Sequence, residues 1–66
     1  MQIKLNGEIK QIDNDITVKQ LADSLNIDIN SIVVELNRDI LDRETSGNVI
    51  LKAEDEIEFI SFFCGG

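Results

Sequence analysis

Thr17-Val18-Lys19-Gln20-Leu21-Ala22-Asp23-Ser24-Leu25-Asn26 is the stretch on which the architecture turns. Val18, Leu21, Ala22 and Leu25 fall at i, i+3, i+4 and i+7, one apolar stripe along a helix, while Lys19, Gln20, Asp23 and Ser24 occupy the other side. Thr17 can cap the first turn, and Gln20, three residues on, completes a capping box. Asn26 suits a left-handed stop. A helix with a single apolar stripe must bury it against something, and the remaining segments offer strands.

On the N-terminal side, Gln2 to Leu5 alternate polar and apolar, the period of a half-buried strand. Asn6-Gly7 is a strong hairpin signal, because both residues tolerate the positive φ of a type I′ turn. Glu8 to Ile12 is the expected return strand, although Ile9 and Ile12 are three apart and cannot share a face. Asp13-Asn14-Asp15 then reads as a polar turn.

Beyond the helix, Ile32, Val34 and Leu36 alternate with Val33, Glu35 and Asn37 in a β-branched strand. Asn37-Arg38-Asp39 turns the chain into a short strand at Ile40-Leu41. Glu44 to Asn48 reads as loop, Val49 to Leu51 as a short apolar stretch, and Lys52 to Asp55 as a polar turn. Glu56 to Phe63 is the last strand, with Ile57, Phe59 and Phe63 on one side and Glu56, Glu58, Ile60 and Phe62 on the other. The order predicts an α+β domain, one main helix packed on a mixed sheet.

Sixty-six residues make one domain, residues 1–66. A chain of this length buries only about 60% of its unfolded surface, so a substrate-enclosing pocket would consume most of its core. Thirteen acidic against six basic residues, a net charge of −7, argue against nucleic-acid binding and favour a partner with a basic docking surface. The same charge also serves solubility. The longest apolar runs, such as Ile32-Val33-Val34, are too short for a membrane span or signal core, which predicts a cytosolic protein. With no histidine and one cysteine, the chain has neither a Cys-His or Ser-His pair nor an internal disulfide. No phosphate loop or calcium loop is present, and no metal site is expected.

The chain closes on Phe62-Phe63-Cys64-Gly65-Gly66. Glycine lacks a Cβ, so a Gly-Gly end is a carboxylate on a thin, flexible stalk able to enter a narrow channel. Such an end suits a protein whose own C-terminus is another enzyme's substrate, although frayed termini are common.

Several stretches together resemble the ThiS family, sulfur carrier proteins of thiamine biosynthesis with a ubiquitin-like β-grasp fold. They are Met1 to Glu8, Thr17-Val18 with Leu21 and Leu25, Val33 to Asn37, Ile40 to Arg43, Asp55 to Glu58 and the terminal Gly65-Gly66. The resemblance implies that an E1-like adenylyltransferase of the ThiF type adenylates the Gly66 carboxylate, using ATP and magnesium that this chain does not itself bind. A persulfide donor would then convert it to a thiocarboxylate, which passes its sulfur to a ThiG-type thiazole synthase. The chain would be a protein co-substrate and not an enzyme. It departs from the family's usual pattern at Ala53-Glu54, where a glycine is frequent, and at Asp42, where a proline is.

In that scheme Gly66 is the covalently modified residue and Gly65 the tail hinge. Phe62, Phe63, Cys64, Glu56 and Glu58 form the expected partner-binding set, with Phe62 the phenylalanine expected to be partly exposed as an aromatic anchor. Glu56 and Glu58 also read simply as a solvated strand face. No basic residue near Cys64 in sequence would activate its thiol, which is expected to be a bystander. Three other readings stay open: a carrier for molybdopterin, tRNA thiolation or cysteine formation; a non-covalent β-grasp module; and, least supported by the composition, a stand-alone enzyme.

Overall fold

Alternation along Gln2–Leu5 turns Ile3 and Leu5 to one face, and this segment is strand β1 of the computed structural model, which describes residues 1–61. Asn6 and Gly7 follow at φ 48° and 85°. Both angles are left-handed, so the two-residue turn matches the strand twist. Strand β2 (Glu8–Gln11) returns antiparallel, with Glu8 opposite Leu5. It ends one residue earlier than the alternation predicts, yet Ile12 still donates to the Met1 carbonyl at 2.8 Å and receives the terminal ammonium at 2.6 Å. The odd spacing of the two isoleucines resolves as opposite faces: Ile12 packs on the core, and Ile9 is 64% exposed.

Helix α1 (Val18–Ser24) carries the capping box expected of it. The Gln20 amide donates to Thr17 Oγ1 at 3.1 Å, and the Thr17 amide donates to Gln20 Oε1 at 2.9 Å. At its other end Asn26 takes φ 59°. The Asn26 amide donates to the Asp23 carbonyl and the Ile27 amide to the Ala22 carbonyl, the paired bonds that close a helix through a left-handed residue. The helix is short and gains its stability from its buried face. Val18, Leu21 and Ala22 are buried, and Leu25 packs at the margin.

A 3₁₀ turn at Ile29–Ser31, which the alternation does not announce, leads into strand β3 (Ile32–Leu36). The following hairpin turns through Asn37 and Arg38, at φ 50° and 75°, into strand β4. That strand is Asp39–Ile40, one residue earlier than the expected Ile40-Leu41. Leu36 pairs with Asp39 across the two-residue turn, and this fixes the register. The expected loop from Glu44 to Asn48 contains a second 3₁₀ turn (Ser46–Asn48) whose Ser46 is buried. Asp42 anchors it: its carboxylate accepts the Glu44 amide at 2.9 Å and its carbonyl the Ser46 amide at 2.8 Å.

Strand β5 (Glu56–Ser61) lies at the centre of a five-stranded mixed sheet of order β2-β1-β5-β3-β4. It runs parallel to β1 and antiparallel to β3. Ile3, Leu5, Ile32, Val34, Ile57 and Phe59 form the buried face under α1, and Leu51 closes the core beside them. This is the ubiquitin-like β-grasp. The assignments made for Phe62, Phe63, Cys64, Gly65 and Gly66 lie outside the described residues.

Among the described residues six non-glycine positions hold positive φ, and four of them are Asn or Asp. Glu54, at φ 69°, is one of the two that are not, and it stands where the resemblance leads one to expect glycine. The left-handed conformation costs a residue with a Cβ about 1–2 kcal/mol, more than the about 0.5–1 kcal/mol of backbone entropy that glycine forfeits. Glu54→Gly should therefore stabilise the domain by up to about 1 kcal/mol, raising the melting midpoint by several degrees. Leu21, only 2% exposed beneath the sheet, sets the opposite limit. Leu21→Ala should cost about 2–5 kcal/mol by urea denaturation, and a near-neutral change would contradict the packing described.

Candidate functional site

With α1 covering one face of the sheet, the other faces solvent. Registers place Ile9, Lys4 and Glu56 in one row across β2, β1 and β5. Glu58, Glu35 and Ile40 form the next row across β5, β3 and β4, and Ile60 opposite Val33 a third. Glu56 and Glu58, both assigned to partner binding from sequence, are exposed here side by side. The strand period also brings Glu35 directly opposite Glu58. Lys4, Gly7 and Arg38 complete the rim of a shallow, open depression around these carboxylates.

Apolar side chains frame the acidic rows. Ile60 is 39% exposed at the C-terminal end of β5 and Ile40 62% exposed on β4. The surface thus combines a charged centre with isolated apolar margins. It encloses nothing. Among the described residues no group of acidic or cysteine side chains is arranged to hold a metal, and no helix is long and apolar enough to cross a membrane.

Two asparagines hold the backbone of β5, a role that sequence reading missed by treating them only as turn residues. Asn37 Oδ1 accepts the Glu56 amide at 3.0 Å, while its own amide donates to the Glu56 carbonyl at 2.7 Å. Its Nδ2 also donates to Asp55 Oδ1 at 3.0 Å. At the other end Asn6 Oδ1 accepts the Phe59 amide at 2.8 Å, and Asn6 Nδ2 donates to the Phe59 carbonyl at 3.4 Å. The available signal was the pairing of each asparagine with a hairpin turn beside the same strand. Arg43, given no role from sequence, donates from Nη2 to the Asn30 carbonyl at 2.6 Å and so ties the loop before the second 3₁₀ turn to the first.

The model of the ThiS family matches residues 3–66, a span that takes in all of the sheet but Gln2, together with α1 and the final Gly65-Gly66. The chain belongs to the ThiS family. The crystal structure of the thiamine biosynthesis protein ThiS from Geobacter metallireducens superposes with a TM-score of 0.83 at 30% identity, each chain covered in full. A solution structure of a thiamine biosynthesis protein from the same organism gives a TM-score of 0.78 at 30% identity, covering all of this chain and 88% of that one. Two thiazole synthases also match over all 66 residues: that of Magnetococcus marinus at 35% identity and that of Paramagnetospirillum magneticum at 29%. This chain spans one fifth, 20%, of the length of each.

For this ThiS-family sheet, the pairing of Glu35 with Glu58 has a direct energetic consequence. Like charges opposite one another on antiparallel strands repel, and an opposite pair in the same place attracts. Glu58→Lys should therefore stabilise the isolated domain by about 0.2–1 kcal/mol in urea denaturation at low ionic strength, a gain that shrinks in high salt.

Proposed function

We propose that the chain is a sulfur carrier whose C-terminal glycine, Gly66, is activated and thiocarboxylated by partner enzymes and then delivers sulfur for thiazole formation in thiamine biosynthesis. The observation that carries this reading is the family match running through Gly65-Gly66 on a chain without histidine. An isolated carboxylate resists substitution until it gains a leaving group, and activation through a covalent intermediate divides the hard step. The Gly66 carboxylate would attack the α-phosphorus of ATP on an E1-like adenylyltransferase that also supplies the magnesium site, releasing pyrophosphate. The terminal sulfur of a persulfide would displace AMP, and a thiol would cleave the resulting acyl disulfide to leave the thiocarboxylate.

A thiazole synthase is the recipient this reading favours. Two thiazole synthases contain, within one polypeptide, a stretch similar to this entire chain. A stretch similar to this chain within thiazole synthases supports the pairing of the two. The exposed Glu56 and Glu58 and the half-buried Glu35, with Ile60 beside them, would meet the activating partner, the carboxylates steering the encounter and the apolar side chain adding burial. Gly65 would serve as the hinge of the tail, and Phe62, Phe63 and Cys64 as partner-binding residues beside it.

Intact mass spectrometry tests the chemistry. Incubation with an E1-like enzyme, ATP-magnesium and a persulfide donor should raise the mass by about 16 units, sulfur replacing oxygen at an activated acyl group. Deleting Gly66 should abolish the gain without unfolding the domain, and Cys64→Ser should leave it unchanged. A gain of about 32 units on Cys64, with Gly66 still a carboxylate, would mean a cysteine persulfide and overturn the mechanism. Raising ionic strength should slow association with the activating enzyme more than it alters dissociation, because screening acts on long-range steering. Rates indifferent to salt would remove the role given to the acidic face.

A further inference from the structure

We propose that Asn6 is a positioning residue for the transfer reaction: its side chain, and not only its turn backbone, fixes the end of β5 from which the reactive C-terminus departs. The inference rests on the carrier reading and adds to it a residue at the opposite end of the sequence.

The two sides of β5 are held unequally. Its pairing with β3 continues to Ser61, opposite Ile32. Its pairing with β1 reaches only Leu5 opposite Ile57, after which the chain swings away through Asn6 and Gly7. The Asn6 amide makes the last main-chain bond on that side, to the Ile57 carbonyl at 3.0 Å. The Phe59 N–H and C=O face the gap that follows, two residues further along β5. The Asn6 carboxamide fills it, accepting from the Phe59 amide and donating to the Phe59 carbonyl. A side-chain amide carries the same donor and acceptor as a peptide group, so Asn6 acts as one further residue of β1. Without it, the stretch from Glu58 to Ser61 would be an edge held by β3 alone.

Asn6 meets two requirements at one position. Its backbone sits at φ 48°, which favours glycine, asparagine or aspartate. Its side chain must also both accept and donate across the gap, which excludes glycine and leaves an ionised aspartate one donor short. A strand end held on both sides enters a partner's site with less ordering left to complete, so the clamp acts on binding and not on the chemical steps.

The experiment compares wild type, Asn6→Gly and Asn6→Asp in thiocarboxylation by the E1-like partner, with amide hydrogen exchange measured on the same proteins. Glycine keeps the turn and removes the clamp. Exchange at Phe59 should accelerate about tenfold, and KM should rise about three- to tenfold with kcat held, the scale expected from losing one or two net hydrogen bonds. Asn6→Asp should fall between the two, and it carries the comparison should Asn6→Gly not fold. Thr17→Ala, which weakens the domain through the helix cap, should lower the melting midpoint and leave KM unchanged. Wild-type KM in Asn6→Gly despite faster Phe59 exchange would overturn the positioning role alone. A wild-type protein that gains no sulfur would overturn the carrier reading, and this proposal with it.

Discussion

The structure depends on β5 being a central strand. It is the last strand of the described residues, and it pairs with the first, β1, on one side and with β3 on the other. Every other feature answers to that placement. The parallel pairing with β1 requires the intervening chain to cross over the sheet, and α1 makes the crossing, burying its apolar stripe on the way. The two hairpins then become the flanks, β2 beyond β1 and β4 beyond β3. Because β1 and β3 both leave β5 through left-handed asparagines, the strand is capped at its start by Asn37 and near its end by Asn6. Closing the sheet in this order joins segments far apart in sequence. Ile57 and Phe59 of β5 are thereby anchored in the core.

A single helix can cover only one face of a five-stranded sheet, and the division of labour in the domain follows. The helix side carries nearly all of the buried apolar side chains, with Ile57 and Phe59 of β5 among them. The open side carries Glu35, Glu56 and Glu58 together, although Glu35 and Glu58 repel one another across the strands. Stability alone would favour a cation at one of these two positions. The like-charged pair instead concentrates negative charge on the open face, the side that the proposed partner encounter uses.

Much of this was legible in the sequence because the signals were local and periodic. The α1 stripe, its capping box, the Asn6-Gly7 turn and the alternation of β3 and β5 each involve residues within a few positions of one another, where propensity and pattern speak directly. The errors were of a different kind. Strand β4 was displaced by one residue because its bounds follow from a left-handed turn at Asn37-Arg38, and arginine gives no warning of φ 75°. The 3₁₀ turn at Ser46–Asn48 was read as plain loop because its polar composition conceals a buried Ser46 under tertiary contacts. The clamps at Asn6 and Asn37 were invisible for the same reason: their partners are 53 and 19 residues away. Glu56 and Glu58 could be placed on an exposed face from alternation, whereas their meeting with Glu35 required the register.

The physical character of the domain explains why a carrier would be built this way. A domain this small buries only a modest core, and most of it is taken up by packing α1 on the sheet. A carrier needs a terminus that can enter another protein's site, a rigid body to be grasped, and a surface that speeds encounter. Rigidity matters because each ordering step left until binding subtracts from affinity. Anchoring β5 on both sides completes that ordering during folding, so the free energy of association can go to seating the terminus. In the proposed function the fold therefore contributes position and recognition, and the enzymes that act on Gly66 contribute the chemistry.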